Sequence, residues 1–320
     1  MDLVFLGTSS GTPTKQRNVT GLALVADSGK GWYLVDCGEA TQHQLLHTPL
    51  SLSTLRAIFI THVHGDHCYG LPGLLASAAM SGRTDPLPII APEGIATWVR
   101  TTLELTTVFL PFALEFIPTE TFGAWQDAEW TVGSAPLSHR VPSYGYHFTE
   151  LQVQPSLDTA KLTAEGVPQG PIWGRLKRGE DLTHAGRRLR SADYLSYPHR
   201  ARKIVVGGDN DSPALLRASC EGAHVLVHEA TYTQAVADKN GASFQHSSAA
   251  SVATFAEAAG LPNLVLTHFS ARYQSDLRQS PSIADIQSEA AACYRGQLFL
   301  AEDFARFRLS PSGGFTRVLL

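Results

Sequence analysis

The sequence predicts an α/β protein in which β-sheet packs against helices, and three observations predict it. Short β-branched and aromatic runs bounded by Gly, Pro or Asp recur along the 320 residues. Longer stretches with helical spacing lie between several of them. The chain is 43% apolar and only 17% charged, enough to bury a substantial core and to exclude extended disorder. In chain order, the expected strands are 3–6, 22–26, 32–35, 57–60, 89–91 and 114–117, then 203–206, 224–227, 264–266 and 297–300. Helices are expected over 71–80, 95–105, 212–219, 247–259 and 283–292. A strand-rich opening followed by alternation of the two element types excludes an all-α or all-β domain.

Segment 155–200 breaks this alternation. It contains no convincing buried strand and is punctuated by Gly166, Pro168, Gly170, Pro171, Gly174, Gly179 and Gly186, as expected of an arm inserted into a single 1–320 domain. Its charge is also distinct. The whole chain carries 25 Lys and Arg against 29 Asp and Glu, a net −4 that by itself gives no reason to expect a nucleic-acid partner. Positions 161–203 hold ten basic and four acidic residues, so a local +6 is offset by −10 elsewhere.

Four scattered cysteines form neither a disulfide framework nor a cysteine metal site, which fits a reducing cytosol. The N-terminus lacks the basic start and apolar stretch of a signal peptide, and no run approaches the ~18 apolar residues that span a bilayer. The expectation is a soluble cytoplasmic protein without a membrane partner.

The sharpest local feature is Thr61-His62-Val63-His64-Gly65-Asp66-His67, directly after the run 57–60. Imidazole together with carboxylate suits zinc and its divalent neighbours. Adjacent residues cannot all turn onto one ion, so a loop bent at Gly65 gives His62 and His64 to one metal and Asp66 and His67 to a second. Strand ends supply further ligands: 203–206 leads to Asp209, 264–266 leads to His268, and His139 stands before a Pro-containing loop. The count closes when Asp209 bridges, with His62, His64 and His139 on one ion and Asp66, His67 and His268 on the other. Zn2+ is the expected ion at both positions, with Mn2+, Co2+ and Fe as alternatives. His43, His47, His184, His199 and His224 are expected to be ordinary core or surface histidines.

With His62-x-His64-x-Asp66-His67 followed by His139, Asp209 and His268, the chain resembles the metallo-β-lactamase superfamily and, within it, the ribonuclease Z family. The resemblance runs nearly end to end, through Phe5-Leu6-Gly7-Thr8, Arg17-Asn18, 36–42, Gly145-Tyr146, His228-Glu229-Ala230-Thr231, His246-Ser247, 267–273 and Ala301-x-Asp303-Phe304. It implies an αββα sandwich, and an endoribonuclease that removes the 3′ trailer from precursor tRNA and leaves a 3′-OH. It also implies a homodimer in which the arm of one subunit clamps the tRNA cut by the other. Gly170-Pro171, Leu176-Lys177 and Arg178 look like the Gly-Pro element of that arm, and its basic charge suits phosphate contacts.

Hydrolysis by two ions about 3.5–4 Å apart explains the ligand types. Asp66 takes a base role from the resemblance, although a metal-bound carboxylate is a weak base and its ligand role ranks first. His246 is the candidate acid for the departing ribose oxygen. Glu229 either holds that imidazole or, with His228, supports a metal ligand. Arg272, with Ser270 nearby, is placed to take a substrate phosphate. Ser247 is a candidate helix cap, and Thr8, Ser9, Ser10 and Gly11 form a turn able to face RNA phosphates. Two competing readings are a small-molecule phosphodiesterase or arylsulfatase-like hydrolase with the same ligands, and an RNA-binding module that has lost catalysis.

Overall fold

Alternate residues of the first strand face different partners. Leu3 and Phe5 enter an interior shared by two sheets, while Val4 and Leu6 join a separate cluster beneath helices. This two-residue period, inherent to a pleated strand, repeats through the molecule and generates four layers. The protein is described by a computed structural model that covers all residues except 28–29, 152, 154, 198–199, 277 and 319–320, so His199 lies outside the described residues.

The first sheet contains Asp2–Gly7 (β1), Gly21–Val25 (β2), Trp32–Val35 (β3), Leu55–Phe59 (β4), Leu87–Ala91 (β5) and Leu114–Pro118 (β6), together with Arg306–Leu309 (β14) and Phe315–Val318 (β15). Its order is β15-β14-β1-β2-β3-β4-β5-β6, antiparallel up to β3 and parallel from β3 to β6. The second sheet contains Trp125–Gln126 (β7), Trp130–Leu137 (β8), Ser143–Glu150 (β9), Lys203–Val206 (β10), Val225–Glu229 (β11), Asn263–Thr267 (β12) and Gln297–Leu300 (β13), in the order β13-β12-β11-β10-β9-β8-β7. Strands β10 to β13 run parallel.

Facing residues such as Phe5, Tyr33 and Phe59 meet Tyr146, Phe148 and Val206 between the sheets. Helices Leu71–Met80 and Glu93–Leu105 cover the first sheet with Leu71, Leu74, Leu75 and Ala78 and with Ile95, Val99 and Leu103, the spacing of one helical face. Ala249–Ala258 and Ile283–Cys293 cover the second. The expected αββα sandwich is therefore present. Among the described residues, no helix is long and apolar enough to cross a membrane.

Every expected strand outside the arm exists, but the hairpin β8–β9 and the closing pair β14–β15 were not among those expected. The expected helix 212–219 is a 3-10 turn, Pro213–Leu216, followed by a single α turn, Arg217–Cys220. Ser248 rather than Ser247 caps Ala249–Ala258, in a reciprocal box with Ser251.

The arm interrupts the antiparallel pair β9–β10, so its two ends lie side by side: Thr149 pairs with Lys203. It is more structured than expected. Helices Thr159–Ala164 and Pro171–Lys177 and a hairpin Leu182–His184/Arg187–Leu189 enclose Leu162, Val167, Leu176, Leu182, Leu189 and Tyr194. The hairpin turns on Ala185 and Gly186, both with positive φ (49° and 77°), the two-residue turn that suits the strand twist. The charge reckoning also changes. Lys203 belongs to β10, and Arg202 is buried against Glu150 and Asp27 at 2.7 and 2.6 Å. Positions 155–200 hold eight basic and five acidic residues, a surplus of three.

Arg202 clamps the neck where the arm rejoins the core. Its side chain is 3% exposed, and its removal takes a buried guanidinium from between Glu150 and Asp27. Arg202→Ala is expected to lower the unfolding free energy by about 3 kcal/mol, read from the urea midpoint at constant slope. A midpoint unchanged from wild type would contradict the clamp.

Candidate active site

Five strands deliver side chains to one edge of the sandwich. β4 runs into His62, β8 into His139, β10 into Asp209 and β12 into His268, while β11 ends on Glu229. Asp66 and His67 sit on the short helix Gly65–Cys68 that follows His64. Close approach demands glycine at 208, where a Cβ would lie 2.7 Å from the Cβ of Thr61 and 2.8 Å from Ser143 Oγ. Asp36, Gln245 and His268 adopt left-handed backbone (φ 60°, 49° and 58°), a strain that side-chain-bearing residues accept where their position is over-determined by surroundings.

The seven residues expected to ligate metal converge here. His62 Nε2 and His139 Nε2 lie 3.1 and 3.2 Å from His64 Nδ1. Asp209 Oδ2 is 3.6 Å from His62 and 3.7 Å from His139. On the other side, His67 Nε2 and His268 Nε2 are 3.2 Å apart, Asp66 Oδ2 is 3.5 and 3.4 Å from them, and Asp209 Oδ1 is 3.4 Å from each. The edge of a tetrahedron of N and O ligands about a zinc-like ion is roughly 3.3 Å. The donor separations match that edge, and the two oxygens of Asp209 divide between the two sets. Imidazole lone pairs this close repel unless a proton or cation lies between them, so both clusters suit divalent metal ions.

The far nitrogen of four rings is fixed by the chain. His62 Nδ1 faces Thr61 Oγ1 at 3.0 Å, His67 Nδ1 faces Asp36 Oδ2 at 2.7 Å, His139 Nδ1 faces the Gln245 carbonyl at 2.9 Å and His268 Nδ1 faces Thr231 Oγ1 at 2.9 Å. Each contact places the ring proton on Nδ1 and leaves the Nε2 lone pair for the centre. Asp36 is held in turn by the Thr61 amide and hydroxyl.

Electrostatics point the same way. Burial disfavours charge on His67, yet Asp209, Asp66 and Asp36 outweigh it and raise its pKa well above the ordinary value. Three carboxylates around one imidazole demand positive charge, which a bound cation would supply in place of a proton. Burial opposes ionisation of Asp66, but His67 and His268 hold it well below the usual carboxylate range.

His246 stands beside these clusters. Its Nδ1 is 3.1 Å from Glu229 Oε1 and 3.7 Å from Asp209 Oδ2. Burial lowers its pKa, but the Glu229 carboxylate overrides this and pushes it up to about 9. Glu229 contacts both His246 and, through Thr231, the ring of His268. One oxygen also accepts from the Asn210 and Ser247 amides; the other accepts from Thr231, the same hydroxyl that faces His268. His228 is buried beside Asn210, at 3.3 Å, rather than beside a donor cluster.

A cleft of about 330 Å³ opens onto the site, lined by Ser10, Gly11, Glu39, His64, Gly65, Asp66, Tyr69, Arg140, Asp209 and His246. Thr8 does not face it: the residue is buried, bonded to Asp303 and Arg17. The Gly11 amide is committed to Asp66 Oδ2 at 2.7 Å. Arg272 leans on Ser270 Oγ at 3.2 Å and over the Tyr232 ring, which neighbours His246. Gly170, Pro171, Lys177 and Arg178 lie on the arm, where Gly170-Pro171 opens a helix and Arg178 pairs with Glu180.

Sequence reasoning gave no role to Asp36, Thr231, Asn210, Tyr69 or Arg140. Asp36 had a usable signal, since it follows strand 32–35 much as Asp209 follows 203–206. Asp36→Asn is expected to weaken metal binding roughly 10- to 100-fold, measured by chelator competition; unchanged affinity would show that His67 is oriented without it.

The model of the family described as anti-Pycsar protein Apyc1 matches residues 1–104. A ribonuclease Z from Pseudomonas putida F1 is 58% identical over 313 residues, covering 98% of each chain. The crystal structure of the short form of human tRNase Z superposes with a TM-score of 0.68 at 27% identity, covering 97% of this chain and 100% of that one. The metallo-β-lactamase fold protein YhfI from Bacillus subtilis superposes at 0.65 with 18% identity over 95% and 98% of the two chains, a likeness of fold. Near-complete coverage at this identity, on a shared αββα scaffold, places the chain in the ribonuclease Z family of metallo-β-lactamase fold proteins.

Proposed function

We propose that the protein is an endoribonuclease that removes the 3′ trailer of precursor tRNA by metal-dependent phosphodiester hydrolysis, leaving a 3′-OH on the tRNA. The observation that carries this reading is the pair of donor clusters joined through Asp209, with the His246–Glu229 pair 3.7 Å away at the cleft. His62, His64, His139 and Asp209 would hold one divalent ion, and Asp66, His67, His268 and Asp209 a second. Zinc suits this imidazole-rich set, with manganese or cobalt also compatible. Ions held there would supply Lewis acidity toward the phosphate and would lower the pKa of water enough to furnish hydroxide near neutral pH.

The chain's own groups do the rest. Asp66, tied to the Gly11 amide and two imidazoles, serves as a ligand ahead of any base role. His246, held through Nδ1 by Glu229, gives a proton to the departing ribose 3′-oxygen. Arg272 and Ser270 take a phosphate on the His246 side. The arm, with Gly170, Pro171, Lys177 and Arg178, contacts the tRNA body, and its basic surplus supports that role. The enzyme acts in the cytoplasm as a homodimer, one subunit's arm serving the other's site.

Incubation of the metal-loaded protein with a 3′-extended tRNA, with the cut mapped to the nucleotide, tests the reading; an intact substrate alongside hydrolysis of small phosphodiesters would replace it with the small-molecule alternative. His246→Ala is expected to slow tRNA cleavage by roughly 100-fold or more and to slow esters with good leaving groups far less. Equal losses on both substrates would remove His246 from the acid role.

A further inference from the structure

We propose that Tyr69 and Arg140 together grip a nucleotide flanking the scissile bond, the ring stacking on its base and the guanidinium binding its phosphate. The proposal rests on the endoribonuclease reading and adds to it a substrate-binding element outside the metal ligands. Both residues line the cleft on the His64 side. The cleft opens onto the donor clusters, so it offers a chain whose scissile phosphate sits there a path along that lining.

Tyr69 is 60% exposed at the end of the helix that carries Asp66 and His67. Its ring nevertheless packs against the chain. It lies over Gly65, where a Cβ would stand 2.3 Å from a ring carbon, and the Trp98 ring is 5.9 Å away at 39°. No hydrogen bond of its hydroxyl occurs among the described residues. A ring packed on Gly65 and Trp98 yet left 60% exposed beside a polar cleft offers apolar surface that a nucleobase would cover, and a ring already packed loses little entropy on binding.

Arg140 follows His139 in the turn between β8 and β9. Its guanidinium is exposed and makes no hydrogen bond or ion pair among the described residues. Of its neighbours, Arg17 is committed to Thr8 and the Ala301 carbonyl, and Arg272 lies on the His246 side, beside Ser270 and over Tyr232. Arg140, with no such commitment among the described residues, is free to fork onto a phosphate. Stacking plus a backbone contact also suits the task, because every base has a π face and the grip would accept trailers of any sequence.

The test is a set of double-mutant cycles on precursor tRNA carrying an abasic nucleotide, or a neutral methylphosphonate, on either side of the cut. For wild type, the critical abasic substitution is expected to cost roughly tenfold in kcat/KM. Tyr69→Leu should lose the same factor on intact substrate and little more on the abasic one, and Tyr69→Phe should restore it. Arg140→Ala should likewise be insensitive to the critical methylphosphonate, with Arg140→Lys intermediate. Additive losses at both positions, with cleavage otherwise intact, overturn the grip alone. A wild-type protein that leaves precursor tRNA uncut overturns the parent reading and this one with it.

Discussion

Asp209→Ala is expected to abolish precursor tRNA cleavage and to strip both metal positions at once. Its two oxygens separate, Oδ2 facing His62 and His139, Oδ1 facing His67 and His268. No other carboxylate among the described residues reaches both sets in this way. Its loss therefore removes a ligand from each set and the charge that opposes repulsion among their imidazoles. His64→Ala is milder by the same logic, because it touches one set only. Residues that merely orient a ligand typically change affinity or activity roughly 10- to 100-fold, so the expected loss for Asp209→Ala exceeds ~1000-fold. Metal per chain, measured by elemental analysis after dialysis, should fall below one equivalent. Two retained metals with activity within about tenfold of wild type would refute the bridging arrangement.

What was legible in the sequence depended on how each element is buried. Strands covered on both faces, such as β1, β4 and β12, read as continuous apolar runs, and those runs located them. β14 instead alternates: Phe307 and Leu309 point inward, whereas Arg306 and Arg308 turn out to pair with Asp2. β8 and β9 carry Gly133, Pro136 and Gly145 within alternating patterns. A search for unbroken runs passes over all three, although their period of two was there to find.

The site was legible for a related reason. Candidate ligands emerge just beyond parallel strand ends, so the apolar runs pointed to Asp209 and His268 before any geometry existed. The groups that orient those ligands could not be ranked in the same way. Thr231 matters because its single hydroxyl meets both Glu229 and His268, and the Gln245 carbonyl matters because its left-handed residue turns it toward His139. Such roles arise from chain crossings far apart in sequence. Tyr69 and Arg140 were hidden differently: an exposed aromatic and a lone arginine have no periodicity, and only the cleft makes them neighbours.

Excision of the arm should separate catalysis from tRNA recognition. Residues 155–200 leave and re-enter the sheet at adjacent points, since Thr149 opposes Lys203 and the Glu150 amide donates to the Arg202 carbonyl at 2.9 Å. A short Gly-Ser linker can therefore close β9 onto β10 with the Arg202 clamp retained, and the arm's own apolar cluster departs as a unit. Hydrolysis of bis(p-nitrophenyl) phosphate is expected to remain within a few-fold of wild type, whereas precursor tRNA should lose about 100-fold or more in kcat/KM, chiefly through KM. Charge gives a second readout. Arg175, Arg187 and Arg188 are tied to acids within the arm, whereas Lys177, Arg190 and Arg200 form no ion pair among the described residues and are the cations best able to meet phosphates. Each phosphate contact contributes roughly 0.9 to the slope of log affinity against log salt. The arm-less enzyme should thus show a slope shallower by about 3. An unchanged salt slope with undiminished tRNA cleavage would move tRNA recognition off the arm and onto the core, and loss of both activities would make the arm a structural requirement of the sandwich.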